Sequence, residues 1–108
     1  MNVKNVLSAA EFSDEKMRKV NLFETARFFC DVYCLRPGQA QKVHTHAKND
    51  KIYYIVKGRA KVIVGEESTV LEAGEIVLAA AGEAHGIENP GDEDVTSLVF
   101  MAPHPSLE

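Results

Sequence analysis

The chain of 108 residues reads as an all-β protein, a sandwich or barrel of short strands. Three observations predict this class. Segments rich in aromatic and β-branched residues recur at a spacing of roughly 8–12 residues. No run of helical period separates them. The breaks between them carry Gly, Asn, Asp or Pro, the residues that turns require. At 45% hydrophobic and 26% charged, the composition is that of a folded globular chain. A single domain over residues 1–106 is expected.

The N-terminal stretch is the one place where a short helix is expected, with Ser8 capping a turn that runs toward Glu11. Val20, Leu22 and Phe23 form a short apolar piece before a turn at Glu24-Thr25. Residues 27–35 (RFFCDVYCL) read as a strand that ends at Pro37-Gly38. Further strands are expected at 41–46, 51–56, 59–64, 68–71, 76–80, 85–88 and 95–100. Between them lie 47–50, Gly58, Gly65-Glu66, Ala73-Gly74, Gly82 and the Asn89-Pro90-Gly91-Asp92 turn.

Twelve basic and sixteen acidic residues leave a net charge of −4, and the basic ones are scattered. That pattern argues against a nucleic-acid partner, which demands a basic stripe. No run approaches the roughly 18–20 apolar residues of a membrane span, and no apolar leader is visible, so a cytoplasmic location is expected. Cys30 and Cys34 stand four apart on one expected strand, about 13 Å, beyond disulfide reach. They are expected to be reduced packing residues. Leu107-Glu108 reads as an affinity-tag remnant, and His104, between two prolines, is expected to face solvent.

The chemistry sits in the histidines. His44 and His46 flank Thr45, and in a strand residues i and i+2 share a face about 7 Å apart. Two imidazoles so placed can lean onto one ion with bonds of about 2.0–2.1 Å, although an isolated His-x-His is weak evidence. The punctuation around them is more specific. Gly38 is followed after five residues by His44, then His46, then after eleven residues by Gly58. Gly74 is followed after five residues by Ala80, then Gly82, His85 and Asn89.

These two blocks resemble the paired motifs of the cupin superfamily, in which the first carries two histidines and a glutamate and the second a histidine. The resemblance implies a double-stranded β-helix, a jelly-roll barrel. It also implies one divalent metal ion (Fe, Zn, Ni or Mn) held by His44, His46 and His85, with His85 meeting the other two across the barrel. Ala80 stands where the second motif has a proline, which softens a turn. The glutamate position is Lys51, and a protonated amine cannot ligate a metal. Three readings stand open. The site is a three-histidine centre with Lys51 swung away or binding an anion; Asp50, of opposite strand parity, stands in as a fourth ligand through a bulge; or Lys51 is a desolvated neutral base.

Lys51, Tyr53, Ile55 and Lys57 share one strand face, which brings Tyr53 near the metal as a core aromatic or a hydroxyl donor. Ile52, Tyr54 and Val56 then face outward, and covering them calls for a homodimer. Glu83 reads as a solvated turn acid, while Arg36 and Arg59 read as turn charges. Two function classes follow, both with a small-molecule ligand that the ion and Lys51 bias toward anions. One is a metal-dependent enzyme of the three-histidine dioxygenase or isomerase kind, with Lys51 and Tyr53 as catalytic candidates. The other is a module that senses or carries a ligand or metal without turnover.

Overall fold

A computed structural model describes residues 1–107. The expected tag remnant at 107–108 falls where the side chain of the first residue and all of the second lie outside the described residues. Nine strands are present among the described residues: β1 (Arg18–Glu24), β2 (Phe29–Leu35), β3 (Ala40–Thr45), β4 (Asp50–Lys57), β5 (Arg59–Val64), β6 (Glu67–Glu72), β7 (Ile76–Ala79), β8 (Ala84–Glu88) and β9 (Val95–Ala102). They form two antiparallel sheets, ordered β1-β2-β9-β4-β7 and β3-β8-β5-β6. Among the described residues no helix is long and apolar enough to cross a membrane.

Alternation along β4 sets the core. Lys51, Tyr53 and Ile55 are buried, while Ile52, Tyr54 and Val56 on the opposite face are half-buried. Tyr53 and Ile55 pack with Tyr33 and Leu35 of β2, Val62 of β5 and Ile87 of β8 in one cluster between the sheets. In β2 the alternation fails, with four consecutive residues from Val32 to Leu35 buried. The cause is a second cover. Val32 and Cys34 pack with Leu22 against Val6, Ala9 and Phe12 of the N-terminal segment, so both faces of β2 are shielded. The short helix α1 (Val6–Ala9) belongs to this cover. It starts earlier than the expected Ser8 cap, because the Asn5 side chain accepts from the Ser8 amide at 3.0 Å and serves as the N-cap.

Two turns show why the sequence places particular residues there. Gly58, between β4 and β5, has φ +84, and a Cβ on it would stand 2.5 Å from the Asp94 carbonyl oxygen. Asn89 is buried and closes the loop after β8. Its Nδ2 donates to the carbonyls of Leu35 and Glu93, and its Oδ1 accepts from the Gly91 amide. Arg36 binds Asp14 and Asp94 and lies over the Phe12 ring, tying the N-terminal segment to the sheets, so it is not the free turn charge expected. Both cysteines are free, and burial pushes each thiol up.

The C-terminal end departs from expectation. His104 is not solvent-facing: only 18% of its side chain is exposed, with Glu24 3.4 Å away and the Phe29 ring edge-on. The buried Asn49 donates to the Pro103 carbonyl at 2.6 Å, which fixes this segment beside β4.

Candidate metal centre

The structure brings His44, His46 and His85 together. One ligand atom from each lies within 4.8 Å of the others, and ring centroids are 4.5–5.5 Å apart. They meet differently from the across-the-barrel arrangement expected. β3 and β8 are neighbours in one sheet, and His44 pairs directly with His85 in their register. His46 follows immediately after the end of β3, and its carbonyl accepts from the Gly82 amide at 2.9 Å. That contact links the first histidine segment to the turn preceding His85.

The register contains a bulge that the spacing of residues does not reveal. Gln41 pairs with Ile87 and His44 with His85, so Lys42 and Val43 together oppose Gly86. A Cβ on Gly86 would come within 3.0–3.1 Å of the Gln41 carbonyl and of Val43. Glycine therefore lets the bulge sit close against β8. Strand parity would put Gln41 and His44 on opposite faces. The extra residue returns both to one cleft, with Lys42 and Val43 exposed between them.

The donor set fits a divalent ion. Nδ1 of His44 lies 2.8 Å from the Lys42 carbonyl and Nδ1 of His85 lies 3.1 Å from that of Glu83. Each carbonyl, two residues back, accepts from Nδ1–H and leaves the lone pair on Nε2, the arrangement that orients imidazole ligands. Nε2 of His85 is buried without a hydrogen-bond partner, a costly state for a polar atom and one that metal ligation relieves. Burial pushes His85 down to about 4, the charges of Lys51, His44 and His46 add to the fall, and the Glu83 carbonyl opposes it. The ring is neutral at neutral pH, as a ligand must be.

Asp50, the candidate fourth ligand, lies elsewhere. It is exposed, its carboxylate accepts from the Ala81 amide at 2.9 Å, and it is outside the three-histidine group. The β4–β9 register runs unbroken through Asp50 and Lys51, so no bulge carries Asp50 to the opposite face. Glu83 likewise caps a turn, its Oε1 accepting from the Ala80 amide. Lys51 does not swing away. It is 1% exposed, and it lines a cleft of about 210 Å³ with His44, His46, Lys19, Tyr33 and Gln41. Burial lowers its pKa to about 7, Lys19 lowers it further, and Asp31 pulls the other way. Tyr53 is fully buried, and burial raises its hydroxyl well above the usual range, so it acts as a donor. Burial pushes the Tyr33 hydroxyl up to about 12, against the Gln41 hydrogen bond.

Gln41 is the residue that sequence reasoning missed. Its Oε1 accepts from Lys51 Nζ at 3.2 Å and from the Tyr53 hydroxyl at 3.3 Å, and its Nε2 donates to the Tyr33 hydroxyl at 3.4 Å. Its position three before His44 was the available signal, readable only with the bulge in hand. Phe29, Met101 and Pro105 also line the cleft.

Comparison with known proteins agrees with this picture. The family model described as a cupin domain matches residues 31–101. A protein of Streptomyces coelicolor is 36% identical over 72 residues, 67% of each chain. The oxalate-binding protein of Thermotoga maritima is 30% identical over 85 residues, 79% of this chain and 69% of that one. The crystal structure of a Thermus thermophilus protein superimposes with a TM-score of 0.95 at 42% identity, covering 97% of this chain and 100% of that one. A Klebsiella pneumoniae protein with a double-stranded β-helix domain gives 0.88 at 26% identity over 95% and 90% of the two chains.

Proposed function

The chain belongs to the cupin family, and from that premise we propose that it holds one divalent metal ion on His44, His46 and His85 and binds a small anionic molecule beside it. The observation that carries this reading is the buried, unpartnered Nε2 of His85 in a cluster where one ring nitrogen from each of three imidazoles lies within 4.8 Å of the others. A divalent ion bound there supplies Lewis acidity and open coordination positions. The chain's own residues supply the rest. The carbonyls of Lys42 and Glu83 fix ring orientation, and Lys51 offers a cation in the cleft. Tyr33 and Gln41 add neutral hydrogen-bonding groups to its lining.

The three imidazoles are neutral ligands, so the ion keeps its full double charge and favours an anion. The name of the Thermotoga maritima relative, an oxalate-binding protein, supports the same ligand class. Binding without turnover and metal-dependent conversion share this first step. The outer face of β4 and β7, with Ile52 and Tyr54 half-buried and Ile76 and Leu78 exposed, supports a second copy as its cover.

Oxalate serves as the probe. Titrated into zinc-loaded protein to about a hundred times its Kd, it adds about 2.7 kcal/mol of stability, roughly 10 °C in Tm. In zinc-loaded Lys51→Met, with the metal retained, a Kd weakened about tenfold cuts the gain at the same oxalate concentration to about 1.4 kcal/mol, roughly half. Metal-loaded protein whose Tm is unmoved by oxalate contradicts the anionic-ligand reading.

A further inference from the structure

Lys51 is buried without a counter-charge. Among the described residues no carboxylate lies within ion-pair distance of its Nζ. The partners of that nitrogen are neutral: Gln41 Oε1 at 3.2 Å, and the rings of Tyr33 and Tyr53, each 5.1 Å away. A second ammonium, that of Lys19, stands 5.4 Å from the same Tyr33 ring and lines the same cleft. Asp31 acts on Lys51 only at longer range, and its attraction is smaller than the burial and Lys19 effects that oppose it. Two cations thus share one aromatic ring beside a cluster of three imidazoles. Such an arrangement is costly in the absence of an anion, because burial weakens hydration and like charges repel.

We propose that Lys51 and Lys19 form an anion subsite separate from the histidine cluster, so that the ligand is a compact dicarboxylate with one carboxylate for the metal and one for the lysines. The proposal rests on the metal reading above for the first carboxylate and on the lysine geometry alone for the second. Compactness follows from the cleft, whose volume of about 210 Å³ is below the roughly 300–1,000 Å³ of sites that enclose drug-sized ligands. Gln41 is the positioning residue. Its amide oxygen holds Lys51 Nζ without neutralising it, and its Nε2 engages Tyr33, whose ring both ammonium groups approach. A carboxylate at position 41 would instead pair with Lys51 and consume its charge.

The test compares malonate with acetate by calorimetric titration of zinc-loaded and metal-free protein, with bound zinc measured before and after. The wild type prefers malonate by about tenfold or more beyond the preference of Gln41→Glu and Lys51→Met, both of which retain zinc. In metal-free protein malonate binds more weakly but still depends on Lys51. Variants that keep the full wild-type preference overturn the lysine subsite and leave the metal reading standing. A wild type that takes up no zinc yet binds malonate through Lys51 has the opposite meaning: the subsite stands and the metal reading falls.

Discussion

Replacing His85 with alanine lowers divalent-metal affinity by about a hundredfold or more, with the strand pairing left in place. Structural zinc sites gain about 10–16 kcal/mol from four ligands, so one ligand is worth about 3 kcal/mol, and 1.4 kcal/mol is a factor of ten. His85 is the strongest of the three candidates for this experiment. It is buried, its Nε2 has no other partner, and it is the cross-strand neighbour of His44. Competition with a chromophoric chelator measures the loss. Circular dichroism of the metal-free variant checks the fold, and an affinity within about threefold of wild type would remove His85 from the ligand set.

The second large effect is of opposite sign for stability. Lys51→Met is expected to stabilise the metal-free protein by about 1–4 kcal/mol, since a buried charge gives way to an apolar side chain of similar length. For a domain of this size that corresponds to roughly 5–20 °C in Tm. The pH dependence identifies the cause. Burial lowers the Lys51 pKa to about 7 from its ordinary value, so the native state releases this proton before the unfolded chain does. The penalty is therefore fully present below about pH 7 in the wild type and is lost as pH rises toward the unfolded value near 10.4. The gap between variant and wild type should be widest at and below neutrality and should close in alkali. A gap that is constant from pH 6 to about pH 10 would mean that packing alone accounts for the gain.

Much of this site is legible in the sequence, and the parts that are not have physical reasons. Gly58 and Gly82 are readable as turn positions because φ angles of +84 and +88 suit glycine, and their spacing frames the histidines correctly. The inward face of β4 is readable from period-2 alternation, which places Lys51 and Tyr53 inside. The pairing of His44 with His85 in one sheet is a matter of strand order, and local spacing does not encode that order. Gln41 stays hidden because Lys42 and Val43 bulge against Gly86, inverting the parity by which faces are assigned. Cover on both faces of β2 depends on where the N-terminal segment folds, so its unbroken burial from Val32 to Leu35 carries no alternation to read. The fate of Lys51 is undecidable from its residue type. A long amine can snorkel or stay buried, and here two tyrosine rings and the Gln41 amide hold it in.

That three imidazoles hold one metal ion is tested most directly by metal content combined with X-ray absorption at the metal edge. Protein reconstituted with zinc and desalted should carry about one ion per chain, with three nitrogen neighbours of imidazole type at about 2.0–2.1 Å. Less than about 0.2 ion per chain after reconstitution, or an ion without imidazole scattering, would contradict it.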